Sequence, residues 1–154
     1  MSELGQVPDW FWEVLDATRP RLSALEAWLE SQPREILEGF ASAYLDAAES
    51  LIDFSEGVTV DGGVWSEDST EDLCMWVVGQ GRGFWDSVVT GEWELAEAAQ
   101  AYLGRASPLS GEVTQWDQEV SAPEHRGYQS PDALVHGVYR TRFAQDLYGW
   151  LSES

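Results

Sequence analysis

Residues 62–85 read Gly-Gly-Val-Trp-Ser-Glu-Asp-Ser-Thr-Glu-Asp-Leu-Cys-Met-Trp-Val-Val-Gly-Gln-Gly-Arg-Gly-Phe-Trp. A glycine pair, an acidic cluster, an apolar run and the pentapeptide Gly79-Gln80-Gly81-Arg82-Gly83 follow one another without a gap. Two folds compete for this stretch. In the first, Leu73–Val78 is a buried strand and Gly79–Gly83 a loop that cradles phosphate. A dinucleotide fingerprint needs glycine where Phe84 stands, and no Gly-Lys-Ser/Thr follows for the other phosphate loop. In the second, Leu73, Trp76, Val77, Gln80, Gly81, Phe84, Trp85 and Val88 step by three, one, three, one, three, one and three. That is one face of a helix. The helix reading prevails, with Ser69 or Asp68 as cap and Asp72 in the first turn. It predicts one interior rod from Leu73 to Val88. Gly79, Gly81 and Gly83 would cost that rod roughly 2–3 kcal/mol relative to alanine, so a kink or a close backbone approach is expected. Gln80 falls on the apolar face and needs buried partners. Arg82 projects about opposite, one turn before Asp86.

Outward from this segment the pattern is helical. Pro8-Asp9 ahead of Trp10-Phe11-Trp12 reads as a helix start with Asp9 as cap, and Phe11, Val14, Leu15 and Thr18 recur at helical spacing. Pro20 ends this element. Leu22, Leu25 and Leu29 mark a second short helix, and Pro33 opens a third. The third buries Leu37, Phe40, Ala41, Tyr44, Ala48, Leu51 and Ile52 on one face. Residues 55–63 are strand-like and end in an Asp61-Gly62-Gly63 turn. Glu92–Leu103 is helical by its Ala, Glu and Leu content. Residues 104–129 lack periodicity and read as a long irregular connection. Ser130-Pro131-Asp132 starts a last helix that buries Val135, Tyr139, Phe143, Leu147 and Trp150. The expected fold is a single compact all-α domain spanning residues 1–154, with about six helices and a central buried helix containing Trp and Gly.

Composition bounds the function. The 154 residues carry 28 Asp plus Glu against 8 Arg and no Lys, a net charge of −20. A field of that sign disfavours direct nucleic-acid binding and anionic membrane surfaces, and leaves basic partners, cations or plain solubility; a basic protein is the partner expected. With 44% hydrophobic residues and 9 Trp, the chain is a folding one. Cys74 is the only cysteine, sits in an apolar run and reads as a small buried hydrophobe. Lack of a secretory pattern and of a long apolar run leads to the expectation of a soluble, cytoplasmic protein.

The motifs resemble a bacterial family catalogued as domain of unknown function 4240. Its opening helix, Asp-x-Phe-Trp-x-x-Ile/Leu, is matched by Asp9-Trp10-Phe11-Trp12-Glu13-Val14-Leu15, and its second region by Gln32-Pro33-Arg34-Glu35-Ile36-Leu37. Its Gly-Gly, Ser-Asp-Asp and Trp-Leu-Ile-x-Gln-Gly-Arg motifs are matched by Gly62-Gly63, Ser66-Glu67-Asp68 and Trp76–Arg82. Glu67 departs from the family's shorter acid, Val64-Trp65 lengthens the turn, and the tail beyond Gly104 does not align. The resemblance covers residues 9–104. It implies a helical fold, implies no reaction, and draws attention to Trp12, Asp68, Trp76, Gln80 and Arg82; with Ser66 these are the candidate binding residues.

Catalytic patterns are weak. His125 lies in the irregular connection and His136 on the last helix, each without a neighbouring cysteine or nucleophile motif. Asp132 and His136 share a helix face, but a zinc site needs further ligands. Glu67, Asp68, Glu71 and Asp72 place carboxylate pairs on common faces; their ordinary role is to favour a helix N-terminus. Trp65, Trp93 and Trp116 form a candidate interaction surface. No catalytic residue, metal or cofactor is expected. The reading is a non-enzymatic acidic interaction protein, a regulator or immunity-type inhibitor of a basic protein. The competing reading is a small-molecule or metal-binding enzyme with a pocket around Asp68, Gln80 and Arg82.

Overall fold

The computed structural model describes residues 7–147, 149 and 151. Seven α-helices occur among them: α1 (Asp9–Thr18), α2 (Leu22–Ser31), α3 (Arg34–Glu49), α4 (Glu67–Gly79), α5 (Arg82–Val89), α6 (Leu95–Tyr102) and α7 (Pro131–Phe143). A single antiparallel hairpin, β1 (Thr59–Val60) and β2 (Gly63–Val64), pairs Thr59 with Val64 and Val60 with Gly63. The fold class is all-α. No helix among the described residues is long and apolar enough to cross a membrane.

The interior rod expected from Leu73 to Val88 is two helices. α4 stops at Gly79, Gln80 closes it, and Gly81 starts α5 at φ 104°, ψ 171°. That backbone region is open essentially to glycine alone. The glycine penalty of a continuous helix is thus avoided: Gly79 ends one element, Gly81 lies between them and Gly83 sits in the first turn of the next. Ser66, rather than Ser69 or Asp68, caps α4, its hydroxyl accepting from the Ser69 N–H at 3.1 Å. Pro8 takes the N-cap position of α1, and Asp9 sits in the first turn.

Two compact units make up the chain. One comprises Val7 and residues 45–114. Here α4 buries Leu73, Cys74, Val77 and Val78, α5 buries Phe84, Trp85 and Val88, and α6 buries Ala98, Ala99 and Ala101. Trp85 Nε1 donates to the Ala47 carbonyl at 2.8 Å, and the Val58 N–H donates to Thr70 Oγ1 at 3.2 Å. Gly57, at φ 71°, lies so close to the Trp65 carbonyl that a Cβ would approach its oxygen to 2.4 Å. Both strands are two residues long, and the expected strand-like stretch 55–63 begins as a 3-10 turn at Phe54–Glu56. α6 starts at Leu95 rather than Glu92, because Glu94 and Glu97 form a capping box there.

The other unit holds residues 8–44 and the described residues from 115 onward. Its core is aromatic: the Phe11 ring lies 5.0 Å from Trp12, 5.0 Å from Phe40 and 5.6 Å from Tyr44. Leu22, Leu25 and Leu29 of α2 and Leu134, Val135, Val138 and Tyr139 of α7 are buried with them. Gly137 lets α7 accept Tyr128, since a Cβ there would lie 2.4 Å from the ring. Arg142 Nη1 donates to the carbonyls of Leu29 and Gln32 at 2.8 and 2.6 Å, satisfying the last turn of α2. The last helix is shorter than expected: Ala144, at φ 54°, ends α7. Phe143 is only half-buried and Leu147 is buried beyond the helix end. Trp150 lies outside the described residues. α3 likewise ends at Glu49, leaving Leu51 and Ile52 half-buried past its end.

Candidate functional site

A row of aromatic rings runs through the 45–114 unit. Trp65, directly after β2, lies 6.3 Å from Tyr102 at the end of α6, and Tyr102 lies 5.4 Å from Trp76 of α4. Trp76 meets Phe84 edge-on at 5.7 Å, and Phe84 meets Trp93 at 6.2 Å. Only Phe84 of the five is buried. Beside the first rings stand the large exposed hydrophobics of the described residues, Val64 (67% exposed), Tyr102 (38%) and Leu103 (44%). Acidic residues lie on the same stretches of chain. Asp61, at the hairpin turn, accepts from Gln100 Nε2 at 3.0 Å and pairs with Arg105 at 2.5 Å, which ties the turn to the end of α6. Glu67, Asp68 and Asp72 follow, exposed, in the first two turns of α4. Residues 45–114 hold 14 acidic side chains against Arg82 and Arg105, a net charge of −12.

The candidate residues read from the sequence fall at different places. Ser66 and Asp68 stand at the start of α4, next to the exposed end of the aromatic row, and Trp76 is its middle ring. Gln80 is at the opposite end of α4, about 18 Å from Asp68 by helical rise. Its buried amide is occupied inside the protein, with Oε1 accepting from the Thr114 N–H at 2.6 Å and Nε2 donating to the Trp76 carbonyl at 3.3 Å. Arg82 is exposed at the start of α5. Asp68 and Gln80 are therefore not brought together. Trp12 belongs to the aromatic core of the other unit and is buried there. Trp65 and Trp93 of the expected surface join the row, whereas Trp116 lies in the other unit.

Cys74 is fully buried, as its setting suggested. Burial, helped by the Glu71 charge, pushes its thiol up to about 12, which leaves almost no nucleophilic thiolate at neutral pH.

A second cluster, in the 8–44/115–151 unit, went unread in the sequence. Glu26 and His125 are each 1% exposed, with Glu26 Oε2 2.6 Å from His125 Nδ1. Glu26 Oε1 accepts from the Ser121 N–H at 2.6 Å and Oε2 from the Ala122 N–H at 3.1 Å. Burial raises the Glu26 carboxyl, but these hydrogen bonds and the imidazole outweigh it and hold the group below the usual carboxylate range. Asp117, four residues before Ser121, accepts from the Leu22 N–H at 3.1 Å. Together Asp117 and Glu26 fasten the irregular connection along α2. One signal was present: Leu22, Leu25, Glu26 and Leu29 form a single stripe, so Glu26 sits on an apolar face and requires a buried partner.

Comparison with protein-family models, with curated proteins and with solved structures finds no match to this chain.

Proposed function

We propose that this chain is a non-enzymatic binding protein whose 45–114 unit docks a basic protein, acting as a regulator or inhibitor of the immunity type. One observation carries the reading: the half-exposed row Trp65–Tyr102–Trp76, with Val64 and Leu103 next to it in the chain, belongs to a unit of net charge −12. An arginine side chain is the complement to such a surface. Its planar guanidinium stacks on an aromatic face and pairs with a neighbouring carboxylate at the same time. Tryptophan and tyrosine are also the side chains that most often dominate binding energy at interfaces. The long-range field of the acids accelerates encounter with a basic protein and turns away acidic ones. Membership of the domain of unknown function 4240 family is part of the same proposal and brings no reaction with it. The enzyme reading loses ground because Asp68 and Gln80 stand at opposite ends of α4 and the Gln80 amide is spent internally.

The test is affinity capture on the immobilised protein at low salt, followed by titration of the captured protein against wild type and the Y102S/L103S variant. The expected partner is basic. Its affinity falls at least about tenfold from about 50 to about 200 mM salt, and at least about tenfold in the variant. Binding that ignores both salt and the variant, or capture of acidic proteins alone, overturns the reading.

A further inference from the structure

Two links join the β-hairpin to the end of α6. One is apolar and opens the aromatic row, Trp65 against Tyr102 at 6.3 Å. The other is polar and closes a ring of three side chains. Gln100 Nε2 donates to Asp61 Oδ1 at 3.0 Å, Arg105 Nη1 donates to Asp61 Oδ2 at 2.5 Å, and the same Nη1 donates to Gln100 Oε1 at 3.3 Å. Each end is fixed by a tight backbone turn. Asp61 and Gly62, both at positive φ (55° and 83°), form the two-residue loop between β1 and β2. Gly104, at φ 79°, closes α6: its N–H donates to the Ala101 carbonyl at 3.0 Å, and the Arg105 N–H donates to the Gln100 carbonyl at 2.9 Å.

We infer that this polar clamp holds the docking surface ready for its partner, with Arg105 as the positioning residue; the inference rests on the docking reading of the 45–114 unit. On charge alone Arg105 is out of place, a cation three residues from Tyr102 on a surface that receives a basic protein. It does little for stability either. Asp61 is 61% and Arg105 54% exposed, and ion pairs in that setting contribute little. What the clamp supplies is geometry. β1 packs against α6 and buries Val60, but the loop Asp61-Gly62 and the returning strand Gly63-Val64 are exposed. Tying the loop to α6 limits the swing of β2 and of Trp65, which follows it directly. A partner then meets Trp65 and Tyr102 already set against each other and does not have to order them, and that saving is gained as affinity.

The test uses the full chain at about 0.15 M salt, with a capped tetra-arginine peptide as the probe. Binding is read from the NMR shifts of the Trp65 indole and the Tyr102 ring. In the free protein, nuclear Overhauser contacts between the same two rings report how they are held. R105Q and R105K are compared with wild type; position 105 is exposed, so both are expected to fold normally. R105Q removes one positive charge, so charge alone gives tighter binding. The clamp gives the opposite sign: affinity at least about threefold weaker in R105Q, with fainter Trp65–Tyr102 contacts. R105K, which keeps the ion pair to Asp61, restores both. R105Q that binds the peptide as tightly as wild type, or more tightly, overturns the clamp and leaves the docking reading standing. A loss that R105K does not restore overturns the clamp as well. Wild-type rings that ignore the peptide overturn the docking reading, and the clamp with it.

Discussion

Glu26 and His125 stand 99 positions apart in the chain and 2.6 Å apart in the fold, each withdrawn from solvent. Neutralising Glu26 weakens its buried hydrogen bonds to His125, Ser121 and Ala122, a loss of about 1.5–3 kcal/mol. E26Q is expected to fall in that range by urea denaturation, and exchange protection of the Ser121 and Ala122 amides should drop with it. A loss below about 1 kcal/mol, the range of an exposed pair, would show that the pair does not anchor the connection.

Acid should weaken the protein in two stages. Burial pushes His136 down to about 4 from its ordinary 6.5, against the opposing pull of Asp146. The unfolded chain therefore takes up that proton first, and stability from His136 drains away as pH falls from 6.5 to about 4. Glu26, whose folded value is lowered, contributes above its unfolded value of 4.5 and loses that contribution as pH falls through the folded one. Relief of repulsion among the 28 acids works in the other direction, so the comparison is wild type against H136Q at each pH. The two should diverge below pH 6.5; parallel curves from pH 7 to 4 would refute the burial argument.

Gly81 and Gly83 should respond to alanine with opposite signs. G81A forces a side chain into φ 104° and is expected to lose of order 1–3 kcal/mol. At Gly83 a Cβ meets nothing within 4 Å and the backbone is helical, so G83A should gain up to about 1 kcal/mol. Equal effects in thermal melts would mean that α4 and α5 are not broken where they are seen to break.

Gly137 gives a steric test. G137A drives a methyl into the Tyr128 ring at 2.4 Å, and the clash outweighs the gain in helix propensity by about 1–2 kcal/mol. The double variant G137A/Y128A should lose less than the sum of its parts. Strict additivity would mean that the ring moves aside freely.

Much of this architecture is legible from local pattern. The Leu37–Phe40–Tyr44 face, the Leu22–Leu25–Leu29 stripe and Leu73, Cys74, Val77 and Val78 are buried, because helical periodicity is written in neighbouring residues. The same rule joined α4 to α5. The apolar stripe runs straight across Gly81, and periodicity carries no record of a backbone angle. The aromatic row is half legible: Trp65 and Trp93 read as outward-facing in the sequence, and Tyr102 does not. Its rings come from five separate stretches of chain, which only packing aligns.

By itself the sequence determined that the chain is helical, strongly acidic and built on buried leucine and aromatic faces, since spacing and charge are properties of the covalent string. The tertiary structure decided which polar groups those faces would take in, and with what. Glu26 on an apolar stripe demanded some partner, and the path of residues 115–130 across α2 made that partner His125. A buried charge is satisfied by whatever the folded chain brings within about 3 Å, and that distance has no counterpart in sequence separation.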